Sequence, residues 1–123
     1  MNVETDQAML VDEARIAQLV EDTSAEILPE LLRFYITDTR ERIDVIRSAR
    51  AEGDLDKLEF ETHTVGSSAG AHANQQLHIV ARKIEALCQE DQHDAALVLT
   101  DELLEIAEQS LRSLDARIEQ GFA

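Results

Sequence analysis

Residues 59–70 read Glu59-Phe60-Glu61-Thr62-His63-Thr64-Val65-Gly66-Ser67-Ser68-Ala69-Gly70. Turned as a helix at about 100° per residue, the stretch divides into two faces. Leu58, Thr62, Val65 and Ala69 gather roughly 200–260° away from His63, forming a mostly apolar stripe of the kind a helix buries. Glu59, Phe60, Gly66, Ser67 and Gly70 lie within about 60° of the histidine. Gly66, Ser67 and Gly70 have almost no side chain, and they hold the i+3, i+4 and i+7 positions that would otherwise crowd the ring. A glycine inside a helix gives up about 1 kcal/mol against alanine, so stability alone does not place Gly66 and Gly70 here. The pattern predicts an imidazole that stands out from a bare helix surface. The competing reading makes the glycines a seam for the close approach of another helix, with His63 an ordinary surface residue.

The flanking sequence sets this helix inside a bundle. Asp54 is a good N-cap for a helix starting near Leu55 and ending around residues 71–73, with Asn74 as its terminator or as the next cap. Upstream, residues 1–10 carry little pattern and are expected to be a flexible lead-in. Ile16, Leu19 and Val20 mark a short amphipathic helix from Val11 to about Asp22. Thr23 and Glu26 have the spacing of a capping box, and Pro29 belongs in a first turn, so the regular helix begins near it. Leu31, Leu32, Tyr35, Ile36, Thr39, Ile43, Ile46 and Ala49 then make one long stripe that Gly53 closes, with Phe34 off its centre. Downstream, Leu77, Val80, Ala81, Ile84, Leu87 and Cys88 phase a helix to about Glu90, and 91–94 read as a turn. A last helix from about Ala95 to Glu119 carries Leu99, Leu103, Ile106, Ser110 and Leu114, flanked by Leu97, Leu104, Leu111 and Ile118. The expectation is an all-α protein: an antiparallel four-helix bundle with a short additional N-terminal helix, one domain over residues 11–120.

Composition agrees and narrows the function. Hydrophobic residues make up 44% of the 123 positions but aromatics only 3%, which suits a core of Leu, Ile, Val and Ala between helices. The net charge of −15 repels nucleic acid and anionic membrane, because phosphate binding needs clustered Lys and Arg. Cys88, the single cysteine, shares the core phase of its helix and has no disulfide partner within the chain. The N-terminal residues lack the basic and apolar regions of a signal peptide, and no apolar run reaches membrane-spanning length, so a cytoplasmic location is expected. His63, His72, His78 and His93 include no pair at helical metal-ligand spacing, and no glycine-rich phosphate loop is present. Glu90 and His93 have a Glu-x-x-His spacing, but in an expected turn and without a second copy. No metal or cofactor of its own is expected, and His72 and His78 read as helix-end and surface residues. One exposed histidine remains. Its neutral ring can act as a nucleophile and carry a covalent group, with the other reactant delivered by a macromolecule.

His63-Thr64-Val65-Gly66-Ser67-Ser68-Ala69 resembles the phosphorylation motif of histidine phosphotransfer (HPt) domains, His-x-Leu-Lys-Gly/Ser-Ser/Ala. The likeness extends over about residues 11–118; Ile16, Leu19, Pro29 with Leu31 and Leu32, and the Leu77 to Ala81 phase are similar to small stand-alone quorum-sensing phosphorelay proteins. The resemblance implies a phosphorelay intermediate in two-component signalling that has no kinase activity of its own. It implies that His63 Nε2 takes a phosphoryl group from a receiver-domain aspartate and passes it to another, with Mg²⁺ supplied by the receiver. A hybrid sensor kinase and response-regulator receivers are the implied partners, and the apolar faces are accounted for by a monomer. Glu59, Phe60, Gly66, Ser67 and Gly70 would form the docking surface, with Glu59 a candidate to hold Nδ1–H. The sequence departs from the motif at Gly66, where the family has lysine, and at His72-Ala73, where it has a Phe/Leu-Gly turn. The alternative is a degenerate HPt-fold adaptor that binds receivers or kinases without being phosphorylated.

Overall fold

Short links between long helices fix the topology. The computed structural model describes residues 10–123, and its helices are α1 (Glu13–Asp22), α2 (Leu28–Glu52), α3 (Leu55–Ala71), α4 (Gln75–Gln89) and α5 (His93–Glu119). No strand occurs among the described residues. The links 53–54, 72–74 and 90–92 allow only a reversal, so consecutive helices run antiparallel. Helix α3 packs on α2 and α4, and α5 packs on α4 and α2, which closes a ring of four. Helix α1 lies at one end: Asp12 N donates to Ala73 O at 2.8 Å, and Arg117 of α5 pairs with Glu13 at 2.8 Å.

The caps follow from local chemistry. Gly53 ends α2 at φ 68°, a left-handed conformation that costs glycine little, and the Asp54 carboxylate accepts from Lys57 N at 3.1 Å to start α3. Between α1 and α2 the expected capping box does not form. The Thr23 hydroxyl instead donates to Leu19 O at 2.7 Å and closes α1, while Ser24 Oγ accepts from Ile27 N at 3.1 Å. Pro29 fixes the first turn of α2 at Leu28, which leaves Glu26 outside the helix. The turn expected over 91–94 is also shorter. Asp91 at φ 58° reverses the chain, and His93 and Asp94 already belong to α5, where Asp94 faces the positive end of the helix dipole.

The predicted stripes of α2, α3 and α4 are buried, including Leu32, Ile46, Leu58, Val65, Ala69, Leu77 and Ile84, whereas Phe34 is 73% exposed. On α5 the expected face is buried at Leu103, Ile106, Ser110 and Leu114, together with Leu111 and Ile118 of its flanking row, and differs near the start of the helix. Ala96 and Thr100 are fully buried, while Leu97, Leu99 and Leu104 are only partly so. Thr100 can sit there because its hydroxyl donates to Ala96 O at 2.7 Å. Cys88 is buried, and burial pushes its thiol up.

Asn74 does not end α3, which closes at His72 with Ala73 at φ 73°, and so holds only one of its two expected positions. It precedes α4 as the N-cap residue, but its side chain is turned into the core. Its Nδ2 donates to Leu10 O at 2.8 Å and Ser110 O at 3.2 Å, and its Oδ1 accepts from Tyr35 Oη at 2.8 Å. Burial raises the Tyr35 hydroxyl far above its ordinary pKa, so it remains a donor. His72 stacks on the Tyr35 ring with centroids 4.5 Å apart. Leu10 is thus buried and tied down. The rest of the lead-in expected over residues 1–10 lies outside the described residues.

Candidate functional site

Helix α3 presents His63 where the sequence puts it. The buried stripe of Leu58, Thr62, Val65 and Ala69 turns the opposite side outward, and the His63 side chain is 58% exposed. Thr62 is a polar member of that stripe, satisfied by donating to Leu58 O at 2.8 Å. Phe60 is 64% exposed and Ser67 is exposed, one turn to either side of the histidine, while Glu59 is half-buried.

The face around His63 is not bare, because α4 supplies its side chains. A Cβ on Gly66 would come within 3.4 Å of Arg82 Nε and 3.5 Å of Ala81 Cβ; one on Gly70 would come within 2.9 Å of His78 Nδ1. Gly66 is buried and Gly70 half-buried. The glycines therefore admit α4 side chains, as the close-approach reading holds, and they do not open a clearing to solvent. His78 is correspondingly half-buried, with Nδ1 2.7 Å from Gly66 O, and is not the surface residue expected. A helical wheel gives angles within one helix only, and so cannot tell which neighbour fills a gap between two.

The imidazole is oriented by a residue that sequence reasoning missed. Glu85 Oε2 of α4 lies 2.7 Å from His63 Nδ1, so Glu85 takes the place proposed for Glu59. An ionised carboxylate can only accept, which puts a proton on Nδ1, so that in the neutral ring the lone pair is on Nε2. Partial burial works to raise the Glu85 carboxyl, but hydrogen bonds from Arg82 and His63 outweigh it and hold it below its ordinary value. Arg82 donates from Nη1 to Glu85 Oε1 at 2.9 Å and from Nη2 to Ser67 Oγ at 2.8 Å. The i, i+3 spacing of Arg82 and Glu85 on a predicted amphipathic helix was the available signal for this pair.

A depression of about 300 Å³ beside the ring is lined by Asp56, Glu59, Phe60, His63 and Glu85. Its three carboxylates, Asp56, Glu59 and Glu85, disfavour a free anionic ligand there. A larger cavity of about 620 Å³ lies between α2 and α5, walled by Arg40, Arg47, Glu108 and Arg112, and contains no histidine. Among the described residues there is no cluster of three or more His, Cys, Asp or Glu side chains that could hold a metal ion. Nor is any helix among them long and apolar enough to cross a membrane.

Comparison with known proteins places this geometry. The fold is similar to that of histidine-containing phosphotransfer protein B (HptB) from Pseudomonas aeruginosa PAO1, with a TM-score of 0.69 and 18% identity over 87% of this chain and 95% of that one. It is also similar to a histidine-containing phosphotransfer protein from rice, with a TM-score of 0.66 and 19% identity over 90% of this chain and 84% of that one. No curated protein matches the sequence. At these identities the structural likeness speaks for the fold. A family model described as the Hpt domain matches residues 30–120, from the first turn of α2 to the end of α5 and across His63. By that match the chain belongs to the Hpt domain family, whose work is histidine phosphotransfer in two-component signalling.

Proposed function

We propose that this protein is a phosphorelay intermediate with His63 as the phospho-acceptor. The observation that carries the reading is the pair of ring nitrogens: Nδ1 is held by Glu85 at 2.7 Å, and Nε2 is left free on an exposed side chain. A receiver domain carrying an aspartyl phosphate docks against Phe60, Glu59 and Ser67. The Nε2 lone pair forms the N–P bond as the acyl P–O bond breaks, and the aspartate leaves with that electron pair as a carboxylate. The Nδ1 proton stays in place, so the ring becomes cationic, and the Glu85 carboxylate lies against that developing charge. The reverse sequence delivers the phosphoryl group to a second receiver. Mg²⁺ and the acidic pocket belong to the partner, and the protein needs neither a kinase activity nor a cofactor of its own. A monomer in the cytoplasm, between a hybrid sensor kinase and response regulators, fits this role.

The test is transfer from a phosphorylated receiver domain to the purified protein. Acid-labile, base-stable label is expected on the wild type and is lost in His63→Gln. Stable binding to several receivers with no label on any would exclude the relay and favour an adaptor that uses the same face.

A further inference from the structure

Phosphorylating His63 adds a dianion to a chain whose net charge is already −15, beside Glu85 and near Glu59 and Asp56. Without a local cation that product is disfavoured. The motif's lysine, one turn after the histidine, is absent, because Gly66 stands there.

Arg82 is in its place from the other side. From α4 its side chain runs over Gly66 and ends between Ser67 and Glu85, with Nη1 3.2 Å from His63 Nδ1. Because that nitrogen carries a proton directed to Glu85, the last distance marks a close approach and not a second hydrogen bond. The guanidinium is permanently charged, and its planar fork matches two phosphoryl oxygens. Only part of its donor set is used by Ser67 and Glu85, and its side chain is 37% exposed. Ser67 Oγ accepts from Arg82, so its own proton is available to a phosphoryl oxygen. A side chain longer than alanine at position 66 would collide with the arginine, since even a Cβ reaches contact at 3.4 Å from Nε.

We propose that Arg82 is the cation that binds the phosphoryl group on His63, supplied across the α3–α4 seam in place of a lysine on α3, and that Gly66 is bare because the arginine lies over it. Ser67 completes the anion site. The inference rests on reading His63 as the phospho-acceptor.

The equilibrium partition of phosphoryl groups between a receiver domain and this protein tests it. That ratio depends on the stability of the two phosphorylated species and not on how tightly they dock. Arg82→Ala is expected to shift the partition about tenfold toward the receiver. Adding Gly66→Lys to Arg82→Ala returns a cation from α3 into the vacated space and restores most of the loss. Far-ultraviolet circular dichroism of each variant checks that the bundle is intact. An unchanged partition in folded Arg82→Ala overturns the role of Arg82 and leaves His63 as acceptor. A shifted partition that Gly66→Lys does not recover also overturns it, since Arg82 would then act by orienting Glu85. Wild type that takes no label from the receiver or from phosphoramidate, a partner-free donor, defeats the underlying reading and this one together.

Discussion

Glu85 illustrates how one residue ties chemistry to stability. Its carboxylate receives His63 Nδ1 at 2.7 Å and Arg82 Nη1 at 2.9 Å, and its side chain is only 14% exposed. A carboxyl group whose pKa is lowered on folding contributes stability above its unfolded value and loses it as the pH falls through its folded value. The ordinary value is 4.5, and the folded one lies below it. At neutral pH, Glu85→Gln is therefore expected to be less stable than wild type by about 1 kcal/mol, a figure held down by the exposure of both partners. The gap should close as the pH drops through the acid range below 4.5. Thermal unfolding of both proteins across that range checks this, and a gap that stays constant would show that the carboxylate is not stabilised by its partners. Glu59 attracted attention in the sequence because it lies one turn from the histidine. Glu85 is 22 positions away, and only the register of α4 on α3 brings it to the ring.

At the scale of the element, the α3–α4 seam gives the two glycines different tasks. Gly66 faces Arg82 and Ala81 at ordinary contact distance, whereas a Cβ on Gly70 would press on the His78 ring at 2.9 Å from Nδ1 and 3.2 Å from Cγ. Alanine in either position gains up to about 1 kcal/mol of helix propensity. At Gly70 the overpacking costs about 1–3 kcal/mol, because the ring is anchored by its bond to Gly66 O. Gly66→Ala should hold or raise the melting temperature, and Gly70→Ala should lower it by roughly 4 °C. Equal effects at both positions would contradict this account of the seam. The helices themselves were readable from the sequence. Apolar spacing, Asp54, Gly53 and Pro29 placed α1 to α4 within a residue or two of their observed ends, because each of those signals acts within one turn. Misreadings fell where two local signals competed. Thr23 was able to close one helix or open the next, and the polar run at 91–94 included the first turn of α5. On α5 the expected face is buried from Leu103 onward, but in the first two turns burial falls on Ala96 and Thr100 more than on Leu97 and Leu99, because small residues there let neighbours approach.

The described residues form a ring of four helices that holds His63 on its surface and closes its core elsewhere. Asn74 shows how the sequence under-reports such an object. Its position suggested a cap, but its amide joins Leu10, Tyr35 and Ser110, which are far apart in the chain. His63 and its exposed neighbours were legible because a helical wheel settles which way one helix faces. Arg82 and Glu85 were not, because they reach the site from a second helix. On the proposed relay, the assembled bundle offers its partner one nitrogen atom, His63 Nε2, with Nδ1–H held by Glu85 at 2.7 Å. Long-range ¹H–¹⁵N correlation on the phosphorylated protein measures this directly. Phosphorus is expected on Nε2 of His63 with the proton kept on Nδ1; phosphorus on Nδ1, or on any residue other than His63, would contradict the account.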